Sequence, residues 1–299
     1  LNTLAKGREV IVSRGQMIEI GGSFRMPEIM GVSGAFLKEV GTTNKTHLKD
    51  YVSAVNEKTG AILHVHQSNY RIVGFTEEPS LSELVEVGKR YNLPVIDDIG
   101  SGALIDLSVF NVQSEPMVQE SIKKGASVVC FSGDKLIGGP QSGIIAGRSE
   151  FIEKIRKNPL ARAMRVGKMT IAGMEATLKL FLNPEKLRKE HPVYRMLSFT
   201  QEELNSRARQ VLEGLPVKVM EKAEIEVVDG FSQMGSGSVP TEVLPSKLMS
   251  IRYPGMDVEE LAKKFRYYKP PIFPRVHKMP YCWISGPYRR MRIVLLRKQ

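Results

Sequence analysis

The sequence is poor in the features that cross-link a chain or carry it across a membrane. Two cysteines in 299 residues, Cys130 and Cys282, are too few for a disulfide framework, and they lack metal-ligand spacing. Cys130 reads instead as a small buried apolar residue. No apolar run reaches the roughly 18 residues that suggest a membrane span. Residues Leu1 to Val10 contain no apolar signal-peptide core and no processing site, so the expected compartment is the cytoplasm. A hydrophobic fraction of 42% with 25% charged residues excludes general disorder. The length suggests roughly two domains.

Acid is scarce relative to base. Forty-three Lys and Arg stand against 32 Asp and Glu, a formal charge of +11. Such an excess speeds encounter with polyanions, although a solvated basic surface gives the same total. Arg289, Arg290, Arg292, Arg297 and Lys298 crowd the last eleven residues, and without them the excess is about +6.

Strands and helices are expected to alternate through the first half. Leu1 to Ala5 reads as the last turn of a helix stopped by Gly7, and Glu9 to Ser13 as a strand. A domain seldom begins in mid-helix, so sequence is expected upstream. Ala61 to His66 is a further strand. Ser80 and Glu83 have capping-box spacing, and Leu81, Leu84, Val85, Gly88 and Tyr91 follow at helical intervals. Leu93 to Ile96 is a buried strand ending in Asp97-Asp98. A helix is expected between Pro116 and Gly125, then strands at Ala126 to Phe131 and Gly143 to Ala146. Strands this apolar imply a mainly parallel sheet covered by helices, an α/β class.

A long helix over Met169 to Leu182 ends at Asn183-Pro184, where the domain boundary is placed. Residues 1–183 form the large domain and 184–299 a smaller α+β domain. The latter is expected to hold helices near Thr200 to Leu212 and from Asp257 toward Arg266. Its strands are expected near Val217 to Met220, Ile225 to Val228 and Lys247 to Arg252. Gly235-Ser236-Gly237-Ser238 reads as a turn.

Ligands of open α/β sheets sit outside the carboxyl ends of the strands. The polar clusters at those ends are His66-Gln67-Ser68-Asn69-Tyr70, Asp97-Asp98-Ile99-Gly100-Ser101-Gly102, and Phe131-Ser132-Gly133-Asp134-Lys135 with Gly138-Gly139-Pro140. A lysine held among small residues after a strand suits a Schiff base to pyridoxal phosphate. An acid at the neighbouring strand end can pair with the cofactor's pyridine nitrogen, and Asp97 and Asp98 are the candidates. They point to opposite faces, and Asp98, nearer the strand end, is favoured. Asn69 can bond the ring's phenolic oxygen and Ser132 the phosphate. Taken singly, Lys135 could be a solvated turn residue, and Asp97-Asp98 a helix cap or metal pair. His64 and His66 alternate along a strand and so cannot share a metal. The order Asn, Asp, Lys at successive strand ends is what points to the cofactor.

The segment from Phe131 to Gln141, FSGDKLIGGPQ, resembles the cofactor-lysine motif of bacterial selenocysteine synthases, the L-seryl-tRNA(Sec) selenium transferases. Gly21-Gly22-Ser23-Phe24-Arg25, Glu39 to Asn44, Ser68-Asn69-Tyr70 with Gly74-Phe75, and Asp97 to Gly102 match in the family's order. So do Leu160 to Arg165 and Gly235 to Ser238. The resemblance covers about residues 1 to 275. It implies a fold-type-I pyridoxal-phosphate transferase that converts seryl-tRNA(Sec) to selenocysteyl-tRNA(Sec) with selenophosphate, by way of an aminoacrylyl intermediate. It further implies Lys135 as the proton-transfer group and Asp134 as an active-site acid. Arg162 and Arg165 are implied as contacts for the selenophosphate anion, and their spacing would place them on one helical face. Without the resemblance they would read as a surface pair. A homo-oligomeric ring of dimers, with sites at subunit interfaces, is also implied.

The family's N-terminal tRNA-binding region and first strands are not among these residues. The expectation is that residues 1–299 alone hold the cofactor poorly or not at all. Beyond about Lys278 the family expects a strand like Leu-Leu-Asp-Ile-Arg-Thr. Codons compatible with Lys278 to Tyr288, read one base out of phase, give such a strand, so 278–299 is expected to be frameshifted. The competing functions are a related ammonia-lyase on a small amino acid or amino-sugar acid, and a non-catalytic truncated chain.

Overall fold

The computed structural model describes residues 1–112, 115–234, 243–277 and 281–285. The expected turn at Gly235 to Ser238 and most of the expected frameshifted tail lie outside the described residues. Two compact units result, one from Leu1 to Val193, the other from Tyr194 to Gln233 together with Val243 onward.

The first unit begins with β1 (Glu9–Ser13), the short strands β2 (Glu19–Ile20) and β3 (Phe24–Arg25), α1 (Met26–Val32), β4 (Phe36–Val40), α2 (Leu48–Ala54) and β5 (Thr59–Val65). It continues with α3 (Leu81–Arg90), β6 (Val95–Gly100), α4 (Val118–Lys123), β7 (Val128–Ser132) and β8 (Gly143–Gly147). The helices α5 (Ser149–Lys157), α6 (Pro159–Ala163), α7 (Lys168–Leu180) and α8 (Pro184–Glu190) follow. The sheet runs β4-β1-β5-β6-β7-β8. All neighbours pair in parallel except β7 and β8.

Central strands of such a sheet are covered on both sides, which is why β1 reads Glu-Val-Ile-Val-Ser without polar alternation. Its neighbours Val10 and Ile11 serve different cores. Ile11, Ile62, Val95, Ile99 and Val129 pack with Tyr51, Leu84 and Val85 on one face. Val10, Val12, Ala61, Leu63, Ile96 and Val128 pack with Met26 and Met30 on the other. The expected capping box opens α3: Ser80 Oγ accepts from Glu83 N, and Glu83 returns a carboxylate to Ser80 N at 2.8 Å. Burying Leu84 and Val85 along that helix contributes about 1.5–3 kcal/mol each. Helix α4 starts at Val118, later than Pro116, because Met117 stays extended in a bridge to Ala103.

Helix α9 (Pro192–Leu197) crosses from the first unit to the second. The second unit adds α10 (Gln201–Glu213), α11 (Val217–Met220), β9 (Glu224–Gln233), β10 (Val243–Arg252), α12 (Val258–Arg266), β11 (Arg275–His277) and β12 (Tyr281–Ser285). Its antiparallel sheet has the order β11-β12-β10-β9. Leu215, Met249, Ile251, Val258, Leu261 and Ala262 form its core. Thr200 caps α10 and Asp257 caps α12, as their spacing predicts. The strand expected at Val217 to Met220 is instead the single-turn helix α11. Pro216 lies at its N-cap, and its carbonyl accepts from Val219 N at 2.8 Å, so local turn chemistry overrides the Val-Lys-Val alternation.

Candidate active site

Parallel strands deliver their carboxyl ends to one edge of the sheet, and the three polar clusters read from the sequence meet there. His66 N donates to Asp98 O at 2.8 Å, joining the end of β5 to the end of β6. Leu136 N donates to Ser101 O at 3.2 Å, joining the β6 end to the loop after β7. That loop, Gly133 to Gly139, closes on itself through Gly138 N to Lys135 O at 3.0 Å and Gly139 N to Gly133 O at 2.9 Å. Leu136 and Ile137 are 2% and 0% exposed and anchor it in the core, leaving Lys135 half-buried at the rim. His191, buried just beyond α8, holds the loop from behind with Nε2 2.7 Å from Ile137 O. Gly138 has φ +67°, and a Cβ there would come 2.5 Å from the His191 ring, so only glycine fits.

The two adjacent aspartates are separated by strand alternation. Asp97 is 1% exposed, and its Oδ1 lies 2.6 Å from His64 Nδ1. Asp98, in register with Cys130, sits among different neighbours. Burial raises its carboxyl above the usual carboxylate range and Asp97 adds to that, while the Gly100 N–H, Lys135 and His66 pull it down. Its Oδ1 accepts from Gly100 N at 3.1 Å. Gly100 itself has φ +60°, and a Cβ there would lie 3.2 Å from Ser68 Oγ and 3.9 Å from Lys135 Nζ. The missing side chain leaves open the space in front of the amine. Cys130 is half-buried, and burial pushes its thiol up to about 12, so it is no nucleophile at neutral pH.

The remaining expected residues are distributed less tightly. Asn69 is half-buried, and its Nδ2 donates to Glu19 O at 2.9 Å. Ser132 ends β7 one residue before the lysine loop, and Asp134 is exposed beside Lys135. Arg162 and Arg165 are both exposed, but the expectation of one shared helical face fails. Helix α6 ends at Ala163, so Arg165 lies in the connection to α7, whose N-cap is Gly167.

Sequence inspection missed Glu115. It is 7% exposed; its Oε2 accepts from Ser101 Oγ at 2.9 Å and lies 3.2 Å from His66 Nε2. His64 and His66 therefore each have a carboxylate of their own, and neither belongs to a metal cluster among the described residues.

A solved D-glucosaminate-6-phosphate ammonia-lyase superposes with a TM-score of 0.59 at 20% identity, covering 93% of this chain and 65% of that one. The likeness is one of fold, and it agrees with the α/β class, the mainly parallel sheet and the smaller α+β unit. Curated L-seryl-tRNA(Sec) selenium transferases are much nearer in sequence. That of Alkaliphilus metalliredigens is 50% identical over 276 residues, 92% of this chain and 59% of that protein. That of Solidesulfovibrio magneticus is 53% identical over 252 residues, 84% of this chain and 54% of that protein. The chain thus spans well under two thirds of the length of these relatives. The profile described as "SelA: L-seryl-tRNA selenium transferase" matches residues 1–284, and with this match, which takes in all three strand-end clusters, the chain belongs to the L-seryl-tRNA selenium transferase family.

Proposed function

We propose that the protein is a pyridoxal-phosphate-dependent transferase converting seryl-tRNA(Sec) to selenocysteyl-tRNA(Sec) with selenophosphate. The observation that carries this is the placement of the Lys135 amine before the open face of Gly100, with Asp98 at the adjoining strand end. An amine, a half-buried carboxylate and nearby hydroxyl and amide groups are a donor set that fits pyridoxal phosphate. Lys135 would hold it covalently, Asp98 would face its pyridine nitrogen, Asn69 its phenolic oxygen and Ser132 its phosphate. Asp97, committed to His64, is left out of that set. When bound, the cofactor supplies an electron sink for the carbanion left by loss of a substrate Cα proton.

The work of the chain itself is acid–base and positional. The Lys135 amine takes the proton from the seryl Cα and later returns it. In between, the Cβ–O bond breaks with loss of the hydroxyl as water, the selenium of selenophosphate bonds to Cβ, and water cleaves the P–Se bond, leaving the selenol and releasing phosphate. Asp134, exposed and adjacent to Lys135 in the chain, is the expected active-site acid. Arg162 and Arg165, both exposed, bind the selenophosphate anion. A homo-oligomer, read as a ring of dimers, is supported by large apolar side chains left in water. Val32, Phe36, Val73, Phe75, Met164 and Met169 are 62–90% exposed. No described helix is long and apolar enough to cross a membrane.

Turnover of seryl-tRNA(Sec) with selenophosphate, followed by analysis of the esterified amino acid, tests the assignment. Selenocysteine formed by the parent and not by Lys135→Ala supports it. Ammonia release from a small amino acid, with no change in the seryl-tRNA, would replace it with the lyase reading.

A further inference from the structure

We propose that Glu115 is a positioning residue for the Lys135 site, a buried carboxylate that locks the ends of β5 and β6 and, through them, the lysine loop. The proposal rests on the assignment of Lys135 as the cofactor lysine.

A carboxylate taken out of water is costly unless donors surround it. Glu115 has two, and both come from the strand ends that form the site. Ser101, itself 0% exposed, donates its hydroxyl at 2.9 Å, and His66 Nε2 lies at 3.2 Å on the same oxygen. Each partner is one step from a site residue. The Ser101 carbonyl accepts from Leu136 N, adjacent to Lys135, and His66 N donates to the carbonyl of Asp98. His66 also faces the Asp98 carboxylate electrostatically. One oxygen atom therefore links the segments bearing Asn69, Asp98 and Lys135.

The chain that follows Glu115 is fixed by backbone, through the Ala103–Met117 bridge and Val118 N to Ala103 O at 3.1 Å. That docking of Met117 and Val118 uses backbone atoms alone and does not involve the glutamate side chain. Glu115→Gln keeps the shape and one acceptor oxygen while removing the charge. It should fold.

The test reads Lys135 directly, in the protein without added cofactor, as the rate of acylation of its amine by a small anhydride, followed by peptide mass spectrometry. Lys89, whose side chain is 66% exposed and which lies with Pro94 and Val95 at the amino end of β6, away from the strand ends that form the site, is the internal control. Loosening of the brace in Glu115→Gln should let the lysine loop open more often and speed labelling of Lys135 about threefold or more. Lys89 should be unchanged, and Glu115→Asp should restore most of the difference. Ser101→Ala, which removes one partner and leaves Glu115 intact, should act in the same direction. With pyridoxal phosphate and seryl-tRNA(Sec), Glu115→Gln should lower kcat while KM for the tRNA stays at the parental value. Parental labelling of Lys135 in both folded variants overturns the proposal, and so does equal acceleration at Lys89. Because labelling needs no cofactor, it stands apart from whether borohydride fixes the cofactor at Lys135, which decides the underlying assignment.

Discussion

Asp97 and Asp98 are consecutive on β6 yet do different work: Asp97 is locked to His64 at 2.6 Å, while Asp98 shares its surroundings with Lys135 and His66. Their substitutions should separate accordingly. Asp97→Asn leaves the His64 ring without its charged partner and should cost about 1–3 kcal/mol of stability. Asp98→Asn should leave the melting temperature at neutral pH unchanged or raise it. A carboxyl whose folded pKa lies above its unfolded one binds more protons when folded, so stability falls as pH rises from the unfolded value through the folded one. Asparagine carries no such loss. Activity should nevertheless fall by about 100-fold or more, the scale of removing a group that stabilises developing charge. Thermal melts and turnover on the two variants check both statements.

His191 should make the lysine loop sensitive to acid. Burial lowers its pKa below the ordinary histidine value, opposed by its bond to Ile137 O. A depressed value means that the stability it contributes is complete above about pH 6.5 and lost as pH falls toward the folded-state value. The melting temperature of the parent should drop through that window more steeply than that of His191→Gln. Parallel curves for the two proteins would refute the assignment.

Arg162 and Arg165 are exposed, so replacing both with Ala should change stability by no more than about 0.5 kcal/mol. The KM for selenophosphate should rise, while the Lys135-bound absorbance with pyridoxal phosphate stays as in the parent. An unchanged KM would remove them from the anion site.

The sequence made local patterns legible and distant contacts illegible. The α3 cap, the two-sided burial of β1 and the lysine loop are all written within a dozen residues, where periodicity and glycine spacing operate. Glu115 meets His66 across 49 positions, from a Ser-Glu-Pro stretch that reads as surface. No short-range rule predicts that meeting. The α11 error has the opposite origin: Val217-Lys218-Val219 alternates like a strand, but Pro216 begins a turn that the pattern does not register. The Arg162–Arg165 spacing was sound only for a helix that continued, and α6 stops at Ala163.

The central claim is that Lys135 binds the cofactor covalently. Borohydride reduction of the intact protein with pyridoxal phosphate, followed by peptide mapping, tests it most directly. The account predicts the reduced cofactor on the Lys135 peptide, and none at that level in Lys135→Ala. Cofactor fixed at another lysine, or retained undiminished in Lys135→Ala, would contradict it.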